Sequence, residues 1–393
     1  MLPEMFSCIF RNSRTVMACC LLSLGPLVAS ATEVEEAASQ IGDRDKFKSA
    51  ARELRTGVGP RYQSLRQELD HYPLAVYLDA LVIEGNLHYG KPEDVIAFLQ
   101  SAGTSPIAMR TLRSFVRHKI EDRRWRAVVE VTEGLRLSTE LICHRAHALL
   151  MTGETAKATP LLNRVWTVGK SQIKACDPVF KTWYRKSGPS DDVVWERALK
   201  AADARNSTLL RYLKRFASAE LKPSLDDLGE IYRRPDRVTR KTRGSLPRQR
   251  DIAHMGVKRL AKVNPKRALD AMQVLSTRFE FDAAQQTVVN SLIVRHSLFA
   301  KSAAPLDWVT SRLAELRDDE LTEIYLRSTI AEADWSSFRQ GYKWLSASRQ
   351  TSDEWRYWRV IAAAPGEAKR SEAELNALAA GRGFHAYLAA EIL

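Results

Sequence analysis

Apolar residues recur at three- and four-residue intervals along almost the whole chain, and strand-like alternation is almost absent. That period marks amphipathic helices with one buried face. Gly and Pro fall between the periodic stretches, where helices stop and start. Residues 33 to 56 read as a first helix, with Phe47, Ala50, Ala51 and Leu54 on one face and Gly57-x-Gly59-Pro60 as its stop. Residues 62 to 69 read as a second. Pro73 opens a third, with Ala75, Leu78, Leu81 and Val82 on its apolar side, and Lys91-Pro92-Glu93 opens a fourth carrying Val95, Ile96, Phe98 and Leu99.

From about residue 106 the helices come in pairs: 106 to 119 with 121 to 132, 139 to 151 with 154 to 167, 193 to 203 with 206 to 216, and 251 to 262 with 265 to 275. The segment Cys143 to Glu154 has small residues on its packing face and a Thr152-Gly153 turn, and a second helix follows from Ala156 to Trp166. This is the layout of a tetratricopeptide-like helix–turn–helix, in which Gly ends one helix and small residues admit the next. The layout returns where the helix through Trp355, Trp358 and Ala362 meets Pro365-Gly366 and a helix from Ala368 to Ala380. Such pairs cannot bury their own apolar faces and must stack on neighbours, which builds a solenoid. The expected fold is therefore all-α, a superhelical α-solenoid of helix pairs.

The first residues break this pattern. Arg11 and Arg14 precede an apolar run from Val16 to Leu24, and Ala29-Ser30-Ala31 supplies a small-x-small cleavage pattern. That order predicts a secretory leader over residues 1–31 and a mature protein outside the cytoplasm, in the periplasm. The run is shorter than the roughly 20 residues a membrane span needs. A lipid-anchor reading at Cys19 or Cys20 fails because the apolar core follows those cysteines instead of preceding them. The whole chain carries 60 Lys and Arg against 47 Asp and Glu. Removal of the leader takes Arg11, Arg14 and Glu4 and leaves a net charge of +12. A basic exported protein is drawn to polyanions, and peptidoglycan with its peptide carboxylates is the one at hand. Nucleic acid is excluded as a partner by the leader. Cys143 and Cys176 are the cysteines that remain, and an oxidising compartment makes them one disulfide or, alternatively, two buried thiols.

Residues 232 to 250 hold Arg233, Arg234, Arg237, Arg240, Lys241, Arg243, Arg248 and Arg250 against Asp236, with Pro and Gly between them. They predict a loop or a very short helix that is either an anion-binding patch or a solvated connector. No nucleophile elbow, phosphate loop or dinucleotide fingerprint occurs. The acidic pairs Glu35-Glu36, Asp191-Asp192, Asp226-Asp227 and Asp318-Asp319-Glu320 sit at helix ends or polar faces, where the helix dipole accounts for them. His144 and His147 share a helix face beside Cys143, but no further ligand follows at metal-site spacing. No catalytic residue, metal site or cofactor is therefore assigned. Trp355 and Trp358 read as core knobs between repeats.

Trp166-x-x-Gly169-x-Ser171-Gln172-x-x-Ala175-Cys176-Asp177, with Cys143 to Gly153 before it and Phe180 and Trp183 after it, resembles the soluble lytic murein transglycosylases. Tyr72-Pro73-Leu74-Ala75-x-Tyr77-Leu78 fits an early helix of that family, and Trp355-Arg356-Tyr357-Trp358 and Arg382 to Ala390 fit its last superhelical repeat. The resemblance implies a superhelical domain curved into a ring, a disulfide between Cys143 and Cys176, and a role in peptidoglycan metabolism. It also implies domain limits of 32–380 for the superhelix and 381–393 for the start of a linker region. The family's catalytic Glu-Ser and its Gly-Leu-Met-Gln motif do not occur here. The expected function is a scaffold for peptidoglycan or for a periplasmic protein partner. The alternatives are a truncated or split transglycosylase that needs a missing catalytic half, and a repeat-type protein-interaction module. The C-terminal helix, with Phe384, Tyr387, Leu388, Ile392 and Leu393, is expected to fray or self-associate. Full hydrogen-exchange protection of residues 384 to 393 in a monomer would contradict that.

Overall fold

The computed structural model describes residues 31–300, 303–363 and 368–393. The expected leader lies, apart from Ala31, outside the described residues, as does the Pro365-Gly366 turn. The described residues form 22 α-helices, two 3-10 turns and no strand. They fall into two compact units, one ending at Lys119 and one beginning at Ile120.

The first unit holds α1 (Ala31–Glu53), α2 (Pro60–Glu68), α3 (Ala75–Gly85), α4 (Pro92–Ala102) and most of α5 (Pro106–Glu121). Ala50, Tyr62, Leu69, Ala75 and Leu78 make its buried cluster, with Phe47, Ala51 and Leu54 at the side, as the periodicity predicts. Leu81, expected on the apolar side, is instead exposed. Arg66 on α2 grips both carboxylate oxygens of Asp79 on α3 at 2.7 and 2.8 Å, a bidentate pair that fixes the two helices.

The second unit continues with α6 (Trp125–Val131), α7 (Thr139–Met151), α8 (Thr155–Trp166), a 3-10 turn (Lys174–Cys176), α9 (Asp177–Lys186), α10 (Asp191–Asp203) and α11 (Ser207–Leu213). Next come α12 (Lys222–Arg233), a second 3-10 turn (Pro235–Arg237), α13 (Leu246–Ala261), α14 (Pro265–Ser276), α15 (Ala283–Ser297) and α16 (Leu306–Leu316). It ends with α17 (Asp319–Ala331), α18 (Trp335–Tyr342), α19 (Ala347–Gln350), α20 (Asp353–Ile361), α21 (Ala368–Ala379) and α22 (Phe384–Ile392). Helices here touch their successors and often the helix after that, as in α7 with α8 and α9, or α13 with α14 and α15. One core cluster therefore runs from Ile142 to Ala362. A second, around Tyr357, Leu375, Leu378 and Ala389, joins it through the half-buried Trp358.

One turn type recurs. Gly153 is left-handed (φ +87°), and Glu154 N–H closes back on the Leu149 carbonyl at 2.8 Å. Arg205 (φ 57°) and Ala333 (φ 55°) make the same turn, with Asn206 N–H on Ala201 O and Asp334 N–H on Thr329 O, each at 2.8 Å. This six-to-one closure satisfies carbonyls that a helix end leaves free. Asn206 and Asp334 then cap the next helix, accepting from Leu209 and Ser337 N–H at 3.0 Å. The sequence grammar of stop and start is thus one backbone device used repeatedly.

Some expected limits move. The helix expected from 121 begins at Trp125, because Arg123 is left-handed (φ 56°) and ends α5 at Glu121. The helix expected from 251 begins at Leu246, so the last residues of the arginine-rich run are helical. Ser245 is extended there and Pro247 occupies the first turn, where its missing N–H costs nothing. The helix expected over 206 to 216 stops at Leu213. At the C-terminus α22 buries Ala386 and Ala389 and half-buries Leu388, while Phe384, Tyr387, Ile392 and Leu393 are exposed.

Close approach and strain give two opposite expectations for urea unfolding. A Cβ on Gly256 would lie 2.4 Å from Val238 Cγ2 and 2.6 Å from Ile231 Cγ2. Gly256→Ala is expected to destabilise by about 1–3 kcal/mol through overpacking. Ala333→Gly removes a left-handed Cβ and is expected to stabilise by about 1 kcal/mol. A neutral Gly256→Ala would mean that α13 can shift away from the 3-10 turn.

Candidate functional site

The residues of the resemblance converge on the region where α7 to α11 meet. Cys143 on α7 and Cys176 in the 3-10 turn are disulfide-bonded and fully buried, with Cα atoms 5.1 Å apart. Trp166, the last residue of α8, is fully buried. It meets Trp183 and Phe216 edge-on, with ring centroids 5.9 and 5.7 Å away. Its Nε1 donates to the Tyr184 hydroxyl at 2.7 Å. Gly169 runs so close to α10 that a Cβ would lie 2.4 Å from the Lys200 carbonyl oxygen. Gln172 Nε2 donates to the Val165 carbonyl at 2.7 Å and so ties the loop back onto α8. The Trp-x-x-Gly-x-Ser-Gln run is therefore a brace: its Gly and Gln are needed for packing and loop closure.

Beside the brace lies a cleft of about 660 Å³. Ser171, Gln172 and Asp177 form one wall, Phe180, Lys181, Tyr184 and Arg185 come from α9, Arg197 from α10, and Asn206 to Tyr212 from the start and body of α11. Arg197 is only 5% exposed. Its guanidinium stacks on Trp166, with Cζ 4.3 Å from the ring centroid, and Nη2 reaches the Lys170 carbonyl at 3.4 Å. Its Nε has no acceptor. Among the described residues no carboxylate pairs with it; the Tyr184 and Tyr212 hydroxyls are its polar neighbours. Burial pushes the Arg197 pKa down, and burial pushes the Tyr184 hydroxyl up. Sequence reasoning missed Arg197. The available signal was its place on α10 between Val194 and Ala201, where the helical period calls for an apolar residue.

Half of the cations of the arginine-rich segment are paired with carboxylates of α10 and α12. Glu230 takes Arg237 at 3.2 Å and Arg240 at 2.6 Å. Asp227, almost buried, accepts both the backbone N–H and the guanidinium of Arg243 at 2.6 Å. Arg248 lies 3.5 Å from Asp192. Arg233, Arg234 and Lys241 are exposed, and Arg250 is half-buried with an unsatisfied Nε. The segment thus spans a 3-10 turn, a loop and the first turn of α13, and half of its expected anion-binding residues are neutralised by carboxylates of neighbouring helices.

The acidic pairs have structural partners. Asp191 accepts from the Ser218 N–H and hydroxyl, and Asp226 pairs with Lys214. Asp318 caps α17, and Asp319 accepts from the Ser346 N–H and hydroxyl. Glu320 holds Arg295 with both oxygens, and that hydrogen bonding lowers its pKa. The side chains of Glu35 and Glu36 lie outside the described residues. Cys143 is spent in the disulfide, while His147 contacts Thr182 Oγ1 at 3.3 Å and the Trp125 ring. Trp355 is buried and donates to Glu323 at 3.1 Å, and Trp358 stacks on Trp335.

The chain is similar to known proteins over most of its length. A soluble lytic murein transglycosylase of Salmonella typhimurium is 26% identical over 332 residues, covering 83% of this chain and 51% of the relative. Its counterpart in Escherichia coli K12 is 25% identical over 384 residues, covering 94% of this chain and 58% of the relative. The chain thus spans little more than half the length of these relatives. The structure of an inactive mutant of a lytic transglycosylase from Pseudomonas aeruginosa superposes with a TM-score of 0.59 at 24% identity, over 88% of this chain and 57% of the other. A 70-kDa soluble lytic transglycosylase in complex with bulgecin A gives 0.61 at 21% identity, over 90% and 57%. These likenesses establish the all-α superhelical fold. The family model for the cucumovirus coat protein matches residues 153–245, under half of the chain, and does not set its family.

The brace makes the disulfide a stability element. The Cys143→Ala, Cys176→Ala double variant is expected to lose roughly 4 kcal/mol, the chain-entropy value for a loop of this size. Thermal unfolding with and without reductant checks this. A wild-type transition unmoved by reductant, and equal to that of the variant, would contradict it.

Proposed function

Because this chain is a homologue of the soluble lytic murein transglycosylases over most of its length, we propose that it works in murein metabolism outside the cytoplasm, as a superhelical scaffold that engages the wall polymer or seats a partner protein there. On this reading it cleaves no glycosidic bond by itself. The observation that carries the proposal is a likeness spread over 94% of the chain, far more than one shared motif.

Three features support it. The expected leader would export the protein to the periplasm, and among the described residues no helix is long and apolar enough to cross a membrane. The net charge of +12 without the leader favours a polymer that bears carboxylates. A glycosidase needs a carboxyl group held protonated near the scissile bond. The acidic pairs with described side chains are instead engaged with cations, serines or helix N-termini. The greater length of the relatives favours a second reading, in which cleavage arises only when a catalytic half is supplied by another segment or chain.

The test is incubation of the purified chain with insoluble sacculi, assaying the pellet for protein and the supernatant for released anhydro-muropeptides. Binding at low ionic strength, weakening as salt shortens the screening length to about 10 Å or less, and no release are expected. Absence of binding at low salt, with a protein partner co-purifying instead, would favour a pure interaction module. Released anhydro-sugars would overturn the non-catalytic reading.

A further inference from the structure

The cleft beside the brace contains a cation that the fold leaves without a counter-charge. Arg197 is nine-tenths buried, lines the cleft and has no carboxylate partner among the described residues. A guanidinium has five N–H donors and no acceptor. Here one reaches a backbone carbonyl at 3.4 Å, the Tyr184 hydroxyl meets another, and Nε has nothing. Two half-buried arginines show the contrast: Arg66 is clamped by Asp79, and Arg356 holds Glu374 at 2.6 Å. Removing a cation from water without pairing it is unfavourable, and a ligand anion is the partner that would relieve it.

The rest of the wall states what else the ligand carries. Lys181 and Arg185 stand exposed on α9 at the cleft with no carboxylate partner among the described residues, and Asp177 is the one acid on the wall. Phe180, Tyr184 and Tyr212 present ring surface, and Tyr212 is 38% exposed. The Tyr184 hydroxyl accepts from Trp166 and also meets Tyr212 and Arg197, which ties the two tyrosines and the guanidinium into one polar cluster on the wall. The volume, about 660 Å³, lies inside the range of small-molecule sites. Aromatic faces pack on the C–H face of a pyranose, while the hydroxyls and cations meet its polar edge.

We propose that this cleft binds a carboxylate carried on a saccharide, with Arg197 as the buried anchor, Lys181 and Arg185 as the rim and the tyrosine rings as the platform. The choice of a sugar acid rests on the murein reading above; the need for an anion does not. A lactyl carboxylate on the ring itself and a carboxylate on a short attached peptide share this chemistry, and the probes below separate them.

The experiment is calorimetric titration of the full chain with four probes. They are N-acetylmuramic acid, N-acetylmuramyl-L-alanyl-D-isoglutamine, the uncharged N-acetylglucosamine, and inorganic phosphate. Binding of either muramyl acid, with no heat from N-acetylglucosamine or phosphate, is expected. Arg197→Met keeps the stem on Trp166 and is expected to weaken that binding at least about tenfold, as loss of a buried charge contact does. Lys181→Glu and Arg185→Glu lie on the surface, so they test the charge without threatening the fold, and are expected to weaken it several-fold. The proposal is overturned if neither acid binds, if phosphate or N-acetylglucosamine binds as tightly as the acids, or if the variants bind like wild type. Sacculus pelleting of the same variants keeps the two readings apart. Wild-type chain and Arg197→Met pelleting equally would leave the murein reading intact and remove this cleft from it. Arg197-dependent binding of a muramyl acid by a chain that does not pellet would do the reverse.

Discussion

A pair of short helices in this chain carries an apolar strip that it cannot cover alone. Leu149 and Leu150 of α7 need Trp166, Val179 and Trp183 from the following helices, and those need Val194 and Ala198 in turn. Burying such side chains is worth roughly 1.5–3 kcal/mol each, so every pair is stabilised by its successor. The continuous core from Ile142 to Ala362 is the outcome. The constraint also dictates the turns: each helix must stop sharply and the next must start at once, which is why left-handed residues are followed directly by Asn206 or Asp334 as caps.

Where packing is closest, chemistry is held in place. The disulfide, the Gly169 contact with α10 and the Gln172 tie fix the loop between α8 and α9. That loop forms a wall of the cleft in which Arg197 is set on Trp166. A rigid buried cation is better placed to select an anion than the arginine-rich segment, half of whose cations are turned to Glu230, Asp227 and Asp192. Total charge supplies attraction at a distance; the unpaired guanidinium supplies a place to bind.

Much of this was legible in the sequence. The period of three and four gave the helices, and Gly153 and the prolines marked many of their ends. Where the ends moved, local backbone chemistry is responsible. Arg123, Arg205 and Ala333 adopt a conformation usually reserved for Gly, which no residue identity announces. The family likeness rested on Trp166 to Asp177, and those residues prove to be structural, whereas Arg197 and the tyrosines come together only in the fold. The ion pairs inside the arginine-rich segment were equally hidden, because Asp227 and Glu230 belong to the preceding helix and Asp192 lies more than fifty residues from Arg248 in the chain.

The braced cleft of the second unit is the proposed seat of an acidic wall saccharide. Hydrogen exchange, read by mass spectrometry with and without solubilised murein glycan, tests it most directly. Protection gained in the peptides from Ser171 to Tyr212, and little elsewhere, is the result predicted. Protection confined to residues 232–250, or no change anywhere while the polymer is bound, would contradict it.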